Sequence, residues 1–337
     1  MAQSRAPRVR MEDIARRVGV SRTTVSFVLT NRPDASVSVE TRRRIREAAA
    51  ELGYRPHAGA RALAAQRSGL IGMITEIVTG PYGPDVIKGA LDEAWQSGYF
   101  LMVAASEGDP ELERVAIERL LEQRAEGLIV ASSMHIERTL PTSLGGVPTV
   151  LVHATDQAGR VPAIVPDEEG GGAVATRRLL DAGHHRVGMV NLPPETLAAR
   201  GRFAGYARAL AERGFDQDPD FVVHAGGTAD DGYEATLRLL DLPRRPTALF
   251  YATDRMAMGG YDAIKERGLR IPEDVAVVGF DNQELIAMFL RPKLTTVALP
   301  FASMGSQAVA LIAALNSGED VPKRTLVPCA LVERDSV

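Results

Sequence analysis

The sequence predicts an all-α helical head followed by an α/β body built on doubly wound parallel sheets, and three observations predict it. Two short amphipathic runs share residues 11–31 around a glycine. The charge is split along the chain. Residues 1–67 hold 14 arginines, no lysine and six acidic residues, a net of +8 on a chain whose total is −4, which leaves −12 for residues 68–337. From residue 69 onward, short apolar runs alternate with amphipathic stretches, the pattern of strands joined by crossover helices. At 337 residues the chain has room for two or three domains, each with its own core.

In MEDIARRVGVSRTTVSFVLTN (11–31), Ile14, Ala15 and Val18 mark one helical face, and Val25, Val28 and Leu29 repeat that spacing in a second run. Gly19 supplies the positive φ that a sharp helix end needs, and Ser21 is placed to cap the next helix. Small Ala15 lets the two helices approach closely, as a helix-turn-helix requires. The second helix then turns Ser21, Arg22, Thr23, Thr24, Ser26 and Phe27 outward, with polar and basic groups crowding its first turn. That is the part of a recognition helix that meets base edges in the major groove. Asn31, just beyond it, completes the set expected at DNA. Ser38 opens a third helix over roughly 39–52, with Ile45, Ala49 and Leu52 on one face and Gly53 as its stop. Arg42, Arg43 and Arg46 on its other face read either as phosphate contacts or as a solvated charged face.

YRPHAGARALAAQRSG (54–69) holds one or two turns of marginal helix after Pro56, too short to be stable alone. The order of helix-turn-helix, third helix ending in LGYRP, then ARAL resembles the lactose-repressor family of bacterial transcription regulators. The resemblance implies that this hinge helix folds on operator DNA, that Leu63 wedges into a minor-groove base step at a cost repaid by bending and contact, and that Arg61 lies at the DNA with it. Two departures are His57, where relatives usually carry Asn, and Gly59 inside the hinge, which costs about 0.8–1 kcal/mol relative to Ala. Phe27 and Thr30 also stand where relatives often have Arg or His and Asn, so operator sequence should not be copied from a relative. The expected divisions are 9–55 for the DNA-binding head, 56–68 for hinge and linker, and 69–335 for the effector and dimerisation body.

Strands are expected at GLIGMITEIV, FLMVAAS, GLIVAS, TVLVH and AIVPD, with helices near 84–97 and 110–123. A second set follows at RVGMVNL, FVVHAG, ALFYAT and DVAVVGFD, with helices near 197–213, 229–240 and 255–267. AGHHRVGMV, GRFAGYARAL, RPTALFYATDRMAMG, IPEDVAVVGFDN and LTTVALP extend the resemblance to nearly all of residues 9–335. It implies the two-lobed fold of periplasmic binding proteins, with ligand between lobes and crossings near 165–168, 296–299 and 320–323. The first lobe would then hold about 69–166 plus 299–321, and the second about 167–296 plus 322–335. The chain stops soon after CALVERD, without the apolar heptads that build tetramers in some relatives, so a homodimer is expected.

In open α/β sheets ligands bind beyond the carboxyl ends of strands. Asp281 follows the run VAVVGF and Arg202 sits in the helix after VGMVNL. Facing one cleft, they could hold adjacent hydroxyls of a sugar or the polar edge of a base; both also match the family's effector-binding Arg and Asp. The resemblance adds Tyr82, Tyr233, Thr253 and His153 as pocket residues, His153 where relatives often use an acid. Thr253 could face ligand while Asp254 caps the next helix. Gly83 replaces a usually bulky wall residue and should enlarge the pocket. A sugar is the first expectation for the effector, a nucleoside or purine the second.

Enzymatic and cofactor readings find little support. Cys329 is the lone cysteine, which rules out an internal disulfide and a multi-thiolate metal site, and it reads as a buried residue of the last strand. His184 and His185 are adjacent without further ligands at metal spacing. GGG at 170–172 lacks the spacing of a phosphate cradle, and close helix packing accounts for it better. There is no Gly-x-Ser-x-Gly elbow. No apolar run approaches the about 18 residues that span a bilayer, and no signal-peptide core precedes the head, so a cytoplasmic protein with no membrane contact is expected. The competing reading is a cytoplasmic solute sensor whose N-terminal helices do not read DNA.

Overall fold

The computed structural model describes residues 9–29, 36–54, 67–76, 78, 80, 82–141 and 144–337. Asn31, Arg61 and Leu63, with Thr30, His57 and Gly59, lie outside them. The chain divides into two compact units, Met1–Gly69 and Leu70–Val337.

The first unit is three helices: α1 (Met11–Val18), α2 (Arg22–Leu29) and α3 (Val39–Glu51). Ile14, Val25, Val28 and Ile45 meet in its core with Ala15, Val18, Ala48 and Ala49. Gly19 ends α1 at φ 76°, and Ser21 Oγ accepts from the Thr24 amide at 3.0 Å, which fixes the turn between α1 and α2. Ser38 caps α3 in the same way. Arg44 of α3 donates to the Val18 carbonyl at 3.0 Å, so a cation closes the negative end of α1.

The second unit holds two six-stranded sheets. In chain order the first lobe contributes β1 (Leu70–Thr75), α4 (Gly83–Gln96), β2 (Phe100–Ala105), α5 (Pro110–Glu122), β3 (Gly127–Arg138), β4 (Thr149–Asp156) and β5 (Ala163–Pro166). The second contributes α6 (Glu168–Asp181), β6 (Val187–Asn191), α7 (Leu197–Glu212), β7 (Val222–His224), α8 (Ala229–Leu240), β8 (Ala248–Tyr251), α9 (Asp254–Glu266), β9 (Ala276–Asp281), α10 (Glu284–Ala287) and β10 (Thr295–Ala298). The chain then returns through α11 (Phe301–Asn316), β11 (Arg324–Val327) and β12 (Ala330–Val332). Strand orders are β11-β5-β4-β3-β1-β2 and β12-β10-β9-β8-β6-β7, parallel throughout except for β10 with β12. β1 and β9 are buried along their whole length, as strands covered by helices on both faces must be.

Three features differ from the sequence expectation. β11 pairs with β5, so residues 324–327 belong to the first lobe and the third crossing falls at residues 328–329, beyond the expected 320–323. Cys329 is buried in that crossing and not in a strand. Helices α6 and α11 also fall outside the expected set. α6 carries three consecutive glycines, which weaken its helical signature, and α11 is apolar around most of its surface, which hides its periodicity.

The glycines of α6 allow close packing against α7. A Cβ on Gly172 would stand 2.2 Å from the Arg202 carbonyl oxygen, and one on Gly205 would stand 2.1 Å from that of Glu169. Backbone touches backbone here, and the contact sets where Arg202 begins. Gly172→Val should therefore destabilise the body by about 2–3 kcal/mol through overpacking, read as a lower urea midpoint; an unchanged midpoint would show that α6 and α7 have room to spare.

Candidate functional site

A cavity of about 160 Å³ opens at the carboxyl ends of the strands, walled by Tyr82, His135 and His153 from the first lobe and by Thr196, Arg202, Thr253, Arg255, Asp281 and Gln283 from the second. Asn191 ends β6, Thr196 caps α7, and Arg202 follows in the second turn. Asp281 ends β9 at φ 112° and Asn282 follows at φ 55°. Two consecutive non-glycine residues at positive φ mark a strained exit from the strand, of the kind that clusters at binding sites.

Arg202 organises the site. It is buried, its Nε donates to Glu168 Oε2 at 2.8 Å, and its Nη1 donates to the Ala252 carbonyl and lies 3.6 Å from Asp281 Oδ1. Its guanidinium carbon sits 3.8 Å above the centre of the Phe280 ring. Burial alone would raise Glu168, yet Arg202 and the contact with His135 hold its carboxyl down at about 2. Burial pushes Asp281 up to about 6 despite Arg202 and its hydrogen bonds. Of the two acids, Glu168 is the nearer partner of the guanidinium, at 2.8 Å against 3.6 Å for Asp281.

Asp281 is held from the opposite lobe. The Tyr82 hydroxyl donates to its Oδ2 at 2.6 Å, and Gln283 Nε2 donates to the Tyr82 oxygen at 2.9 Å and to Oδ2 at 3.2 Å. The Tyr82 ring stacks on Phe301 at 4.8 Å. Burial, then the Asp281 charge, raise the Tyr82 phenol well above its ordinary range, so it stays a donor. Asp254, also raised by burial and by Asp281, accepts from the Thr296 hydroxyl at 2.5 Å and the Gln283 backbone N–H at 2.7 Å.

The structure brings Tyr82, His153, Arg202, Thr253 and Asp281 to one cavity. Tyr233 is not among its walls: it lies on α8, and its hydroxyl is engaged by Glu266 of α9, to which it donates at 2.6 Å. Thr253, not Asp254, caps α9, accepting from the Met256 amide at 3.1 Å, while Asp254 turns inward. Gly83 borders a second cavity of about 200 Å³ that shares Tyr82, Ser133, Met134 and Arg255 with the first. Sequence reasoning missed Glu168, which lies in the expected first crossing, and His135, which lies past the expected end of its strand. A register shift between Ala131 and Ile136 lets β3 run on to Arg138.

On the helical unit, Ser21, Arg22 and Thr23 are exposed, while Thr24, Ser26 and Phe27 are half-buried. Arg43 pairs with Glu40 at 2.7 Å and Glu47 at 2.8 Å, which favours the solvated-face reading for that residue.

The pattern of the family described as bacterial regulatory proteins, lacI family, matches residues 10–57, and that of a periplasmic binding protein-like domain matches residues 176–337. The chain is 31% identical over 330 residues to the HTH-type transcriptional repressor PurR of Mannheimia succiniciproducens, covering 97% of this chain and 98% of that one. It is 33% identical over 305 residues to the ribose operon repressor of Escherichia coli K12, covering 89% and 90%. The lac repressor dimer bound to operator and the anti-inducer ONPF superposes with a TM-score of 0.81 at 29% identity, over 98% of this chain and 99% of that one. The chain belongs to the lacI family of bacterial regulatory proteins. It is a DNA-binding transcriptional regulator, not an enzyme, with a periplasmic-binding-protein-like body. No helix among the described residues is long and apolar enough to cross a membrane.

His153 offers a test of the buried site. Burial pushes its imidazole down from the ordinary 6.5 to about 4. A depressed histidine contributes stability that is complete above about pH 6.5 and is lost as pH falls towards 4. Asp281, raised to about 6, has the opposite sign, but it is common to wild type and variant. Between pH 7 and pH 4.5 the unfolding free energy of His153→Gln should gain on wild type by roughly 2–3 kcal/mol; a difference independent of pH would contradict a neutral buried ring.

Proposed function

We propose that this chain is a homodimeric, ligand-responsive repressor of the cytoplasm, and that its effector is a sugar bound between the two lobes. The observation that carries the reading is the Tyr82–Asp281 hydrogen bond, in which one lobe supplies the donor and the other a buried acceptor beside Arg202. A ligand hydroxyl that takes the place of Tyr82 on Asp281 satisfies the same acceptor while releasing the link between lobes. Ligand chemistry and lobe angle thus meet at one atom. Arg202, already engaged by Glu168 and Ala252, positions Asp281 more than it offers free donors.

Ser21, Arg22, Thr23, Thr24, Ser26, Phe27 and Asn31 would read double-stranded operator DNA in the major groove, with Arg61 and Leu63 in the minor groove at the centre of a pseudo-palindromic site. The dimer is supported by an apolar face on the first lobe, where Leu91 and Trp95 lie one turn apart on α4 and Phe100 and Met102 line β2. Trp95 is 83% exposed and Phe100 66%. A patch of this kind marks an interaction surface, and a twofold protein matches a twofold operator.

The test uses an operator selected from randomised duplexes and a thermal-shift screen of sugars and nucleosides. Wild type should bind the duplex with an affinity that falls steeply with salt, and a stabilising sugar should change that affinity. Asp281→Ala, which cuts the link between lobes, should lose the ligand response and hold operator affinity near that of ligand-saturated wild type, since a coupling of about 1–3 kcal/mol passes through it. A salt-independent affinity, or an Asp281→Ala protein that still responds, contradicts the reading.

A further inference from the structure

We infer that His135 and His153 act together as a paired hydrogen-bond acceptor that selects an effector by two neighbouring hydroxyls, so that a neutral vicinal diol, and not a carboxylate or phosphate, lies against this wall of the cleft. The inference rests on the proposed ligand site and names the chemistry it takes. Both rings border the cavity, are 6% and 4% exposed, and stack at 5.7 Å with 28° between planes. His153 holds its place from a left-handed backbone at φ 59° inside β4, a conformation that persists where surrounding structure enforces it. Phe301 closes its edge at 5.0 Å.

The proton positions follow from the partners. His153 Nδ1 lies 3.3 Å from the Ser132 carbonyl oxygen, which can only accept, so Nδ1 carries the proton. His135 Nδ1 lies 3.3 Å from Glu168 Oε1, and that carboxylate, held ionised by Arg202, also only accepts. With Nδ1 carrying the proton, Nε2 of a neutral ring is a bare lone pair, and neither Nε2 has a hydrogen-bond partner among the described residues. Two buried acceptors without donors lie side by side in a cavity wall. With ring centres 5.7 Å apart, the two imidazoles are close enough for neighbouring hydroxyls of one ligand to reach one each at a hydrogen-bond length of roughly 2.8 Å.

The charged groups around the rings exclude the alternative. Glu168 faces them from α6, Arg202 from α7 and Asp281 from the end of β9, while Tyr82 borders the same cavity at the start of α4. The Arg202 charge is already matched by Glu168 and Asp281. An anionic head group here would meet the Glu168 carboxylate, and burial disfavours the His153 imidazolium that could receive it. Arg255, exposed at the cavity margin, leaves any charged substituent of the ligand a place away from this wall.

The experiment titrates the full chain by calorimetry at pH 7.5 with D-ribose, D-glucose, D-galactose, adenosine and guanosine, and with 2-deoxyribose, 2-deoxyglucose and 2′,3′-dideoxyadenosine as controls. At least one diol should bind, its deoxy analogue should bind tenfold or more weaker, and whether free sugars or nucleosides bind identifies the source of the diol. His153→Leu and His135→Leu should each lose tenfold or more, with His153→Gln recovering part because its amide oxygen can accept. ¹⁵N spectra of the wild type should show both rings protonated at Nδ1 and bare at Nε2. Binding of none of the diols, equal binding of diol and deoxy analogue, unchanged affinity in a folded Leu variant, or Nε2–H rings would overturn the inference. If a diol binds through the pair yet leaves operator affinity unchanged, the regulatory reading fails while this one stands; if an effector shifts operator affinity independently of both histidines, the reverse holds.

Discussion

A guanidinium taken out of water must be matched where it lies, and the body of this protein is arranged around that requirement at Arg202. The cost of stripping its solvent is several kcal/mol, and an imperfect partner set would not repay it. The set here comes from several elements: Glu168 from the start of α6, the Ala252 carbonyl after β8, Asp281 from the end of β9 and the Phe280 face beneath. Each partner has to arrive in place. The glycine contact of α6 with α7 sets the backbone of Arg202, and the positive-φ exit of β9 turns Asp281 towards it. What remains of Asp281 is one oxygen, and the first lobe takes it through Tyr82.

A binding cleft in this state is occupied by its own side chains. Tyr82 and Gln283 satisfy the acceptor that a ligand would use, and Tyr82 is braced by Phe301. A ligand therefore exchanges one hydrogen bond for another at Asp281, and the net gain has to come from groups that lack a partner. The Nε2 atoms of His135 and His153, without a partner among the described residues, are such groups. In the proposed reading, opening and selection are separate tasks performed by different residues: the link between lobes lies at Tyr82, and the chemical preference lies at the two histidines.

Much of the architecture was legible in the sequence because it rests on periodicity and on local chemistry. Ile14, Val18, Val25 and Val28 announce the helical head by spacing, Ser21 and Gly19 by turn chemistry, and VAVVGFD by a continuous apolar run that only a doubly covered strand tolerates. What periodicity does not carry was missed. α6 hides behind three glycines kept for packing against α7, and α11 is too uniformly apolar to show a face. β11 is short and half-exposed, with a burial pattern that does not say which sheet it joins. The candidate site was legible where a strand end points to it, as at Asp281; His153 was found from the expected end of TVLVH, although β4 runs on to Asp156. Glu168 and His135 required knowing which strand runs past its expected end and which carboxylate reaches Arg202. Tyr233 was expected in the pocket, and its bond to Glu266 on the neighbouring helix is a contact that the sequence does not show.

The central claim is that the Tyr82 hydroxyl, bonded to Asp281 and Gln283 across the cleft, sets the lobe relation, with the His135–Glu168 contact beside it. The direct measurement is the inter-lobe distance distribution from nitroxides on Glu122→Cys and Arg244→Cys in a Cys329→Ala background, with and without Tyr82→Phe. Removing a buried hydrogen bond to a carboxylate gives up about 1.5–3 kcal/mol, enough to shift the distribution to longer distances or broaden it clearly. An unchanged distribution in the folded Tyr82→Phe protein would mean that the lobes are held by other contacts and that Asp281 is not where ligand and lobe angle meet.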